Sequence, residues 1–292
     1  MKKLLGILGV ISIMGATPLL ASATPQSDLE EFRAYFYKKF PGVKLQDYGN
    51  GIYALDKARR FEWEESEEFP AYEEAVEKGE QMFAKYGMKS CFKNGGISIK
   101  QNYPYFDKKT GKVRTLEEDI MACLKKNGVD VKAEKLTYKK GKLAAISAYM
   151  AYTSRGKKQN VVIPDDPAAM EAYQAGKTFF YAKRGQLNFS CADCHVYNAG
   201  KMVRGNLLSP ALGHTSHFPV WRKKWAAKAA KKRGGQSKPF DGLGTLQRRY
   251  GGCNKQVRAK PLKAHGTAYN NLEFFHTYMS NGIKLNGPAI RQ

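Results

Sequence analysis

The chain has 292 residues, with 49 lysines and arginines against 26 aspartates and glutamates and a formal net charge of +23. This length suits two domains of ordinary size. A basic surface attracts acidic proteins and small anions, so we expect partners or substrates of that kind. Nucleic acid is not expected, because the N-terminal residues described next indicate export, and an exported protein does not normally meet nucleic acid. A well-solvated surface is the alternative explanation of the charge.

The first 23 residues have the pattern of a cleaved signal peptide. Lys2 and Lys3 precede an uncharged apolar run from Leu4 to Leu20, and small residues follow at positions 21–23. The run is short and the chain becomes polar directly after it, which is typical of a secretory signal rather than a membrane anchor. No later stretch approaches the roughly 18 apolar residues that a membrane helix needs. We therefore expect an exported, periplasmic protein without a membrane span.

Residues 24–70 are predicted to be an N-terminal extension. They show little hydrophobic periodicity and many charges, which favours a segment that wraps the first domain. After this segment, apolar residues recur at three- and four-residue steps from Tyr72 to Phe83. This spacing predicts a helix that begins near Ala71 and leads towards Cys91.

Two further helices complete a first domain over residues 71–158. The sequence Thr115-Leu-Glu-Glu118 is a capping box, which predicts the start of a short helix containing Cys123. The apolar stretch from Leu143 to Tyr152 predicts the next helix, and residues 155–166 form a polar linker.

A second domain, residues 159–292, is predicted to repeat this plan. A helix over residues 171–183 opens it, and a helix over Trp221–Arg233 ends at two glycines. Asn270 and Glu273 are predicted to cap a last helix. The apolar stripe of that helix consists of Leu272, Phe275 and Met279.

The second domain carries the sequence Cys191-Ala192-Asp193-Cys194-His195, which is the attachment signature of a c-type haem. In this pattern both thiols bond to the haem and the adjacent imidazole binds the iron. A redox dithiol and half of a zinc site are the alternatives. A zinc site needs a second ligand pair and a thioredoxin-like dithiol needs a βαβ context, and the sequence contains neither. One covalently attached haem c is therefore predicted.

The two domains align with each other around matched residues, which predicts an internal duplication. Gly79 and Cys91 match Gly176 and Cys191, and each half has a Thr-Leu pair eight residues before a later cysteine. Chance similarity is the alternative. The predicted fold is mainly α, with two cytochrome c-like helical domains related by duplication and haem kept only in the C-terminal one.

The first domain lacks the second cysteine and the histidine, because Asn94 and Gly95 stand at the matching positions. A c-type haem cannot attach there. Without a haem between them, Cys91 and Cys123 could close a disulfide. That pairing leaves Cys253 as the odd thiol among the five cysteines of the chain.

The residue that binds the iron opposite His195 is left open by the sequence. Methionine and histidine are common in this position, and the candidates are Met279, His214, His217, His265 and His276. Cys253 is a further candidate, because it is unpaired, follows Gly251-Gly252 in a predicted loop and has cations around it that favour a thiolate. These cations are Arg248, Arg249, Lys255 and Arg258. A core or surface role is the alternative for each candidate.

Arg249 stands four residues before Cys253. An arginine beside a reactive thiolate can hold an oxyanion through a two-pronged hydrogen bond. A surface arginine is the equally supported alternative. The matching residue of the first domain is Asp119, so the arginine is specific to the half that carries the haem motif.

Three segments of the second domain together resemble the SoxA family, which belongs to the SoxAX cytochromes of sulfur oxidation. They are Ser190–His195, Gly213–Pro219 and Gln247–Arg258, of which the last is the most specific. The likeness covers nearly all of the chain after the signal peptide. Some members of this family bind two haems. The chain differs from them at Asn94 and Gly95 and resembles the members with a single haem, in which the domain without a haem contains a disulfide.

The resemblance implies an L-cysteine S-thiosulfotransferase, which joins thiosulfate oxidatively to a cysteine of the carrier SoxYZ and passes two electrons to cytochrome c. It implies that Cys191 and Cys194 carry the haem and that His195 and Cys253 ligate its iron. Cys253 is then also the catalytic cysteine, which the family holds as a persulfide, and Arg249 binds substrate. A heterodimer with SoxX, a small c-type cytochrome, is implied as well.

A periplasmic electron-transfer cytochrome is the alternative function. Such a protein would have histidine and methionine as iron ligands and no substrate chemistry of its own. The ligand opposite His195 distinguishes the two functions.

Overall fold

The computed structural model describes residues 24–203 and 205–291. The predicted signal peptide lies outside the described residues. The described part is mostly helical, as predicted, with short strands in three small sheets. None of its helices is long and apolar enough to cross a membrane.

The described part of the chain consists of α-helices and short strands, several of which are joined by long connections. The helices of the described part are α1 Pro25–Lys39, α2 Lys57–Glu68, α3 Glu73–Lys85, α4 Leu116–Lys126, α5 Lys142–Tyr152, α6 Pro167–Tyr181, α7 Lys223–Lys231, α8 Leu246–Gln256 and α9 Thr267–Tyr278. The strands are β1 Tyr105–Asp107, β2 Lys112–Arg114, β3 Met202–Val203, β4 Asn206–Leu207, β5 Val220–Arg222, β6 Leu243–Gly244 and β7 Ala289–Arg291. β1 pairs with β2 and β3 with β4, while β5 lies between an antiparallel β6 and a parallel β7.

The N-terminal segment packs on the second half of the chain. α1 begins at a capping box formed by Thr24 and buries Leu29, Phe32 and Phe36 on one face. These side chains share a hydrophobic core with residues of α6 and α9. The expectation that this segment lacks periodicity is therefore wrong, and α1 packs on the second half rather than on the first domain. An i, i+3, i+7 spacing is present among its charged residues and forms a helix face. Glu67 of α2 does contact the first domain, through Tyr72 and Arg155.

The three predicted helices of the first half are confirmed. α3 buries the apolar face that the spacing predicted. The capping box of α4 is complete: the Glu118 N–H donates to Thr115 Oγ1 at 3.3 Å, and the Thr115 N–H donates to Glu118 Oε2 at 3.0 Å. α5 is buried along most of its length. Some side chains from these helices form a core within the first half. Others, among them Ala75 and Ala145, pack with Leu243 in a cluster that joins the two halves.

Two helices of the second half begin at positions other than those predicted. α6 begins earlier, at Pro167, because the Asp166 carboxylate accepts hydrogen bonds from two N–H groups of the first turn at 2.9 and 3.1 Å. α7 begins later, because Trp221 lies in β5 opposite Leu243 and Ile290 of the neighbouring strands. The prediction of a helix from Trp221 is therefore wrong at its start, since strand pairing takes the first residues.

The last helix begins earlier than its predicted caps. Gly266 is the N-cap of α9, so Asn270 and Glu273 lie inside the helix and do not cap it. Both are buried and make long-range hydrogen bonds instead. Asn270 Nδ2 donates to the Val113 carbonyl of the first half at 3.0 Å, and Gln247 Nε2 donates to Glu273 Oε2 at 3.0 Å. The predicted apolar stripe is buried and consists of Leu272, Phe275 and Met279.

The same kind of helix crossing occurs once in each half and depends on a glycine. A Cβ on Gly176 of α6 would lie 2.0 Å from the Asn271 carbonyl oxygen of α9. A Cβ on Gly79 of α3 would lie 2.2 Å from the Ala145 carbonyl oxygen of α5. Because real Cβ atoms do not approach oxygen so closely, each crossing requires a residue without a side chain.

A disulfide joins Cys91 to Cys123, as the sequence suggested. It connects the short helical segment Met88–Cys91 to α4, with a sequence separation of 32 residues. Cys191, Cys194 and Cys253 are free of disulfides.

Replacing Gly176 by alanine is expected to destabilise the protein, because the methyl group would overlap the Asn271 carbonyl and push α6 from α9. Overpacking of this kind lowers the free energy of unfolding by about 1–3 kcal/mol. Chemical denaturation of Gly176→Ala measures the loss, and Thr178→Ala, an exposed change on the same helix, is the control. Equal stability of Gly176→Ala and the wild type would contradict the close crossing.

Removing the disulfide is expected to destabilise the first half. The double variant Cys91→Ser/Cys123→Ser should lose about 2–4 kcal/mol in free energy of unfolding, because an intact cross-link restricts the unfolded chain. Denaturation of the variant and of the reduced wild type should agree. Thiol labelling of the oxidised wild type should leave both cysteines unmodified, and labelling of either would contradict the pairing.

Candidate functional site

The sequence-predicted site residues meet at one cavity of about 770 Å³ in the second half of the chain. Cys191, Cys194 and His195 lie on one wall, and Cys253 and Arg249 of α8 lie on another. The remaining lining is largely apolar and includes Phe179, Phe180, Leu208, Val257 and Leu272. Helices α6, α8 and α9 supply half of the lining residues, and the connecting segments supply the others.

The segment with the two neighbouring cysteines is held by reciprocal hydrogen bonds. The Ser190 N–H donates to Asp193 Oδ2 at 2.7 Å, and the Asp193 N–H donates to Ser190 Oγ at 2.9 Å. His195 Nδ1 lies 2.8 Å from the Ser209 carbonyl oxygen. Because a carbonyl only accepts, Nδ1 carries the proton, and Nε2 of His195 remains available as a ligand.

Burial keeps the two motif cysteines in the thiol form. It raises the pKa of Cys191 to about 11, although Arg184, whose Nη1 lies 3.6 Å from the sulfur, acts in the opposite direction. Burial also raises the pKa of Cys194. Two adjacent thiols that form no disulfide are the groups that a c-type haem needs for attachment.

Cys253 lies within α8 rather than in a loop, so the loop prediction is wrong. Leu246 and Tyr250 of α8 are buried, and their packing keeps the helix intact through Gly251 and Gly252. A Cβ on Gly252 would meet nothing within 4 Å. The two glycines therefore leave open space beside Cys253 instead of breaking the helix.

The Cys253 thiol is more acidic than an ordinary cysteine. Burial raises its pKa, but Arg249, a hydrogen bond with the His195 side chain and Arg222 outweigh this effect and lower the pKa to about 7. The thiolate is therefore well populated near neutral pH, which is the reactive form of a cysteine.

Only one of the four predicted cations near Cys253 is among the groups that lower its pKa. That cation is Arg249. Arg248 instead lies over the Trp225 ring at 3.8 Å, and Arg258 Nη1 lies 3.5 Å from Gln186 Oε1. Arg222 also lowers the pKa of Cys253. The sequence did not predict this effect, because Arg222 lies in β5, 31 positions before Cys253.

The other candidate iron ligands are engaged elsewhere or lie outside the cavity. His276 lines the cavity, but its Nδ1 is 3.0 Å from Tyr250 Oη and its Nε2 is 3.3 Å from the Ala211 carbonyl oxygen. His214 also lines it and packs beside His195, with ring centroids 5.0 Å apart, but its Nδ1 is 3.0 Å from Ser209 Oγ. The candidates outside the cavity lining are His217, His265 and Met279. Cys253 is the candidate whose side chain forms a hydrogen bond with the His195 side chain.

The cavity residues fit a covalently attached haem. The lining contains the two free thiols of Cys191 and Cys194 and the His195 imidazole, the Cys253 side chain forms a hydrogen bond with that imidazole, and much of the remaining lining is apolar. This donor set matches what a c-type haem with two axial ligands requires.

Comparisons with known proteins show which family this chain resembles. The family model "SoxA/TsdA, cytochrome c domain" matches residues 69–159. The chain is 46 % identical to the L-cysteine S-thiosulfotransferase subunit SoxA of Chlorobaculum thiosulfatiphilum, over 98 % of this chain and 96 % of that protein. It is 43 % identical to the subunit of the same name in Allochromatium vinosum, over 98 % of both chains.

A solved structure is also similar to this chain. It is that of SoxXA from P. pantotrophus, with a TM-score of 0.55 and 28 % sequence identity, and the match covers 68 % of this chain and 67 % of that one. Together with the matched domain, this likeness identifies a protein of the cytochrome c class, which implies a covalently bound haem c. The chain belongs to the SoxA family of L-cysteine S-thiosulfotransferase subunits.

Proposed function

We propose that this chain is the haem-bearing subunit of a thiosulfotransferase that joins thiosulfate oxidatively to a cysteine of the carrier SoxYZ, with SoxX as its partner subunit. The observation that carries the proposal is the meeting of Cys253 with His195 in a cavity that also contains Arg249. The names of the SoxA relatives support the activity, and the likeness to a chain of the SoxXA complex supports the heterodimer.

The cavity residues have distinct proposed roles. Cys191 and Cys194 would carry one haem c through thioether bonds, and His195 and Cys253 would ligate its iron. When bound, the haem would supply a one-electron redox centre. The Ser209 carbonyl fixes the orientation of the His195 ring and directs Nε2 towards the cavity.

Arg249 is proposed to orient thiosulfate at Cys253. Thiosulfate is a dianion whose sulfonate oxygens match the planar fork of a guanidinium group. Arg249 is also the cation with the largest effect on the Cys253 thiolate. One side chain can therefore bind the sulfonate and keep the nucleophile in its charged form.

The proposed reaction has two steps, an oxidative coupling of thiosulfate to Cys253 and a transfer of the thiosulfate unit to the carrier. The Cys253 thiolate and the terminal sulfur of thiosulfate form a disulfide bond and release two electrons, which cytochrome c receives. A thiolate of the carrier then attacks the terminal sulfur of the thiosulfate unit. It forms its own disulfide bond with that unit, and the Cys253 thiolate is released, as in thiol–disulfide exchange. The family's persulfide at Cys253 would react in the same way with one more sulfur.

A basic groove offers a route for the carrier to the site. It has a volume of about 1900 Å³, extends to Arg249 and contains Gly251 and Gly252. Its lining includes lysines from three parts of the chain, among them Lys139, Lys228 and Lys260, and no acidic side chain among the described residues. An acidic carrier would be attracted to such a surface, and the glycines would let a peptide approach α8 closely.

The remaining proposals concern the history and location of the chain. We propose an internal duplication with domains at residues 71–158 and 159–292, preceded by the extension 24–70. The matched crossings at Gly79 and Gly176 support it, as does a cytochrome c domain match over the half without the haem motif. The signal-peptide pattern of the first 23 residues supports export to the periplasm.

Replacing Cys253 by serine is expected to abolish transfer of thiosulfate to the carrier, because serine cannot form the sulfur–sulfur bond. The haem should stay attached, since Cys191 and Cys194 are unchanged. Mass spectrometry of the carrier measures the transfer and a haemochrome assay measures the haem. Lys126→Gln, an exposed change in the first half, is the control and should keep full transfer. Transfer by Cys253→Ser would refute the role of this cysteine.

The oxidised protein is expected to give the EPR spectrum of a low-spin haem with thiolate ligation. The signal should change in Cys253→Ser, because the sulfur ligand is lost. A methionine charge-transfer band in the near infrared would instead support the electron-transfer cytochrome. Met279 is buried and lies outside the cavity lining, which disfavours that result.

A further inference from the structure

A second pocket, lined by arginines, lies next to the cavity that contains His195 and Cys253, which is called the haem cavity below. It has a volume of about 610 Å³, and three of its lining side chains are Arg222, Arg249 and Arg291. Arg249 and His214 line both this pocket and the haem cavity, so the two spaces adjoin. No aspartate or glutamate lines the pocket among the described residues. The parallel pairing of β5 with β7 places Arg222 opposite Arg291.

Arg291 is the most deeply buried of these arginines. Only 8 % of it is exposed, and its Nε has no hydrogen-bond partner. Its two Nη atoms donate to the backbone carbonyls of Ile290, at 2.7 Å, and Gly49, at 3.4 Å. Its guanidinium lies over the rings of Tyr53 and Trp63, at 5.3 and 5.2 Å. The side chain is thus held in place by aromatic rings and by neutral acceptors.

The charge of Arg291 is not neutralised within the described part of the chain. No described carboxylate forms an ion pair with it or with Arg249. The negative charge of Glu67 raises the pKa of Arg291. However, the Glu67 oxygens accept hydrogen bonds from Trp63, Tyr72 and the Ile290 N–H. The nearby acid is therefore already engaged by other donors.

Such an arrangement is unfavourable without an anion. A buried charge is destabilising unless it is paired, and like charges that face one pocket add to the destabilisation. Burial lowers the pKa of both Arg222 and Arg291 to about 10, and Arg249 adds to the effect on Arg222. A bound anion would reverse these effects and would find rigid guanidinium donors already in position.

We propose that the pocket between β5, β7 and α8 is an oxyanion site, in which Arg291 and Arg249 bind a carboxylate or sulfonate group that does not belong to the polypeptide. Two sources have this chemistry: a propionate of the haem attached at Cys191 and Cys194, and free thiosulfate. The second source rests on the function proposed above. In either case Arg291 contacts the anion directly, and Arg249 lines both this pocket and the cavity that contains Cys253.

The test uses the haem-containing protein with Cys253→Ser, which binds anions but cannot transfer sulfur. Arg291→Gln removes the charge, Arg291→Lys keeps it, and Lys126→Gln removes one positive charge at a remote exposed position. Calorimetric titration with sodium thiosulfate and with sodium sulfate, at constant ionic strength, reports free-anion binding. The reduction potential of the haem reports a propionate partner. Arg222→Gln repeats both measurements if Arg291→Gln does not fold.

Binding of the free anion predicts that Arg291→Gln weakens thiosulfate and sulfate binding about tenfold or more and leaves the reduction potential unchanged. Binding of a propionate predicts a lower reduction potential in Arg291→Gln, because a positive charge that stabilises the reduced haem is lost, with thiosulfate binding unchanged. Arg291→Lys should restore much of the affected property.

Two results would overturn the proposal: no change in either property, or equal changes in Arg291→Gln and Lys126→Gln. Carrier modification by the otherwise wild-type protein is measured separately. Its absence would refute the proposed function without deciding whether the pocket binds an anion.

Discussion

The crossing of α6 over α9 at Gly176 is the contact on which the rest of the second half depends. It brings the two helices together at backbone distance, and Phe180, one turn further along α6, packs against His276 of α9 with ring centroids 5.4 Å apart. α1 then covers the outer side of this pair with Leu29, Phe32 and Phe36. A looser crossing would move apart the wall residues that enclose the site. The corresponding crossing at Gly79 organises the core within the first half.

The sequence predicted what depends on short spacing. The capping box at Thr115 and the apolar faces of α3 and α5 involve residues within a few turns of each other, and the structure confirms them. The disulfide also followed from the sequence, because alignment of the two halves placed Cys123 opposite Cys91.

The sequence did not predict contacts that arise from tertiary packing. Gly251-Gly252 indicated a loop, yet the packing of Tyr250 keeps α8 helical. Arg222 and Arg291 lie 31 and 38 residues from Cys253, and only the pairing of β5 with β7 brings them beside Arg249. Single-sequence patterns carry no information on such pairings, because strands of three residues lack a distinctive period. The composition gives the large net charge. It did not predict that lysines would line an open groove while arginines line a buried pocket.

The disulfide of the first half has a consequence for how the chain matures. Cys91 and Cys123 are oxidised to each other, whereas Cys191 and Cys194 remain free thiols. The proposed attachment of haem at Cys191 and Cys194 requires reduced sulfur, so the polypeptide would have to oxidise one pair of cysteines and spare the other. The disulfide lies against the core of the first half, at a distance in sequence from the second pair.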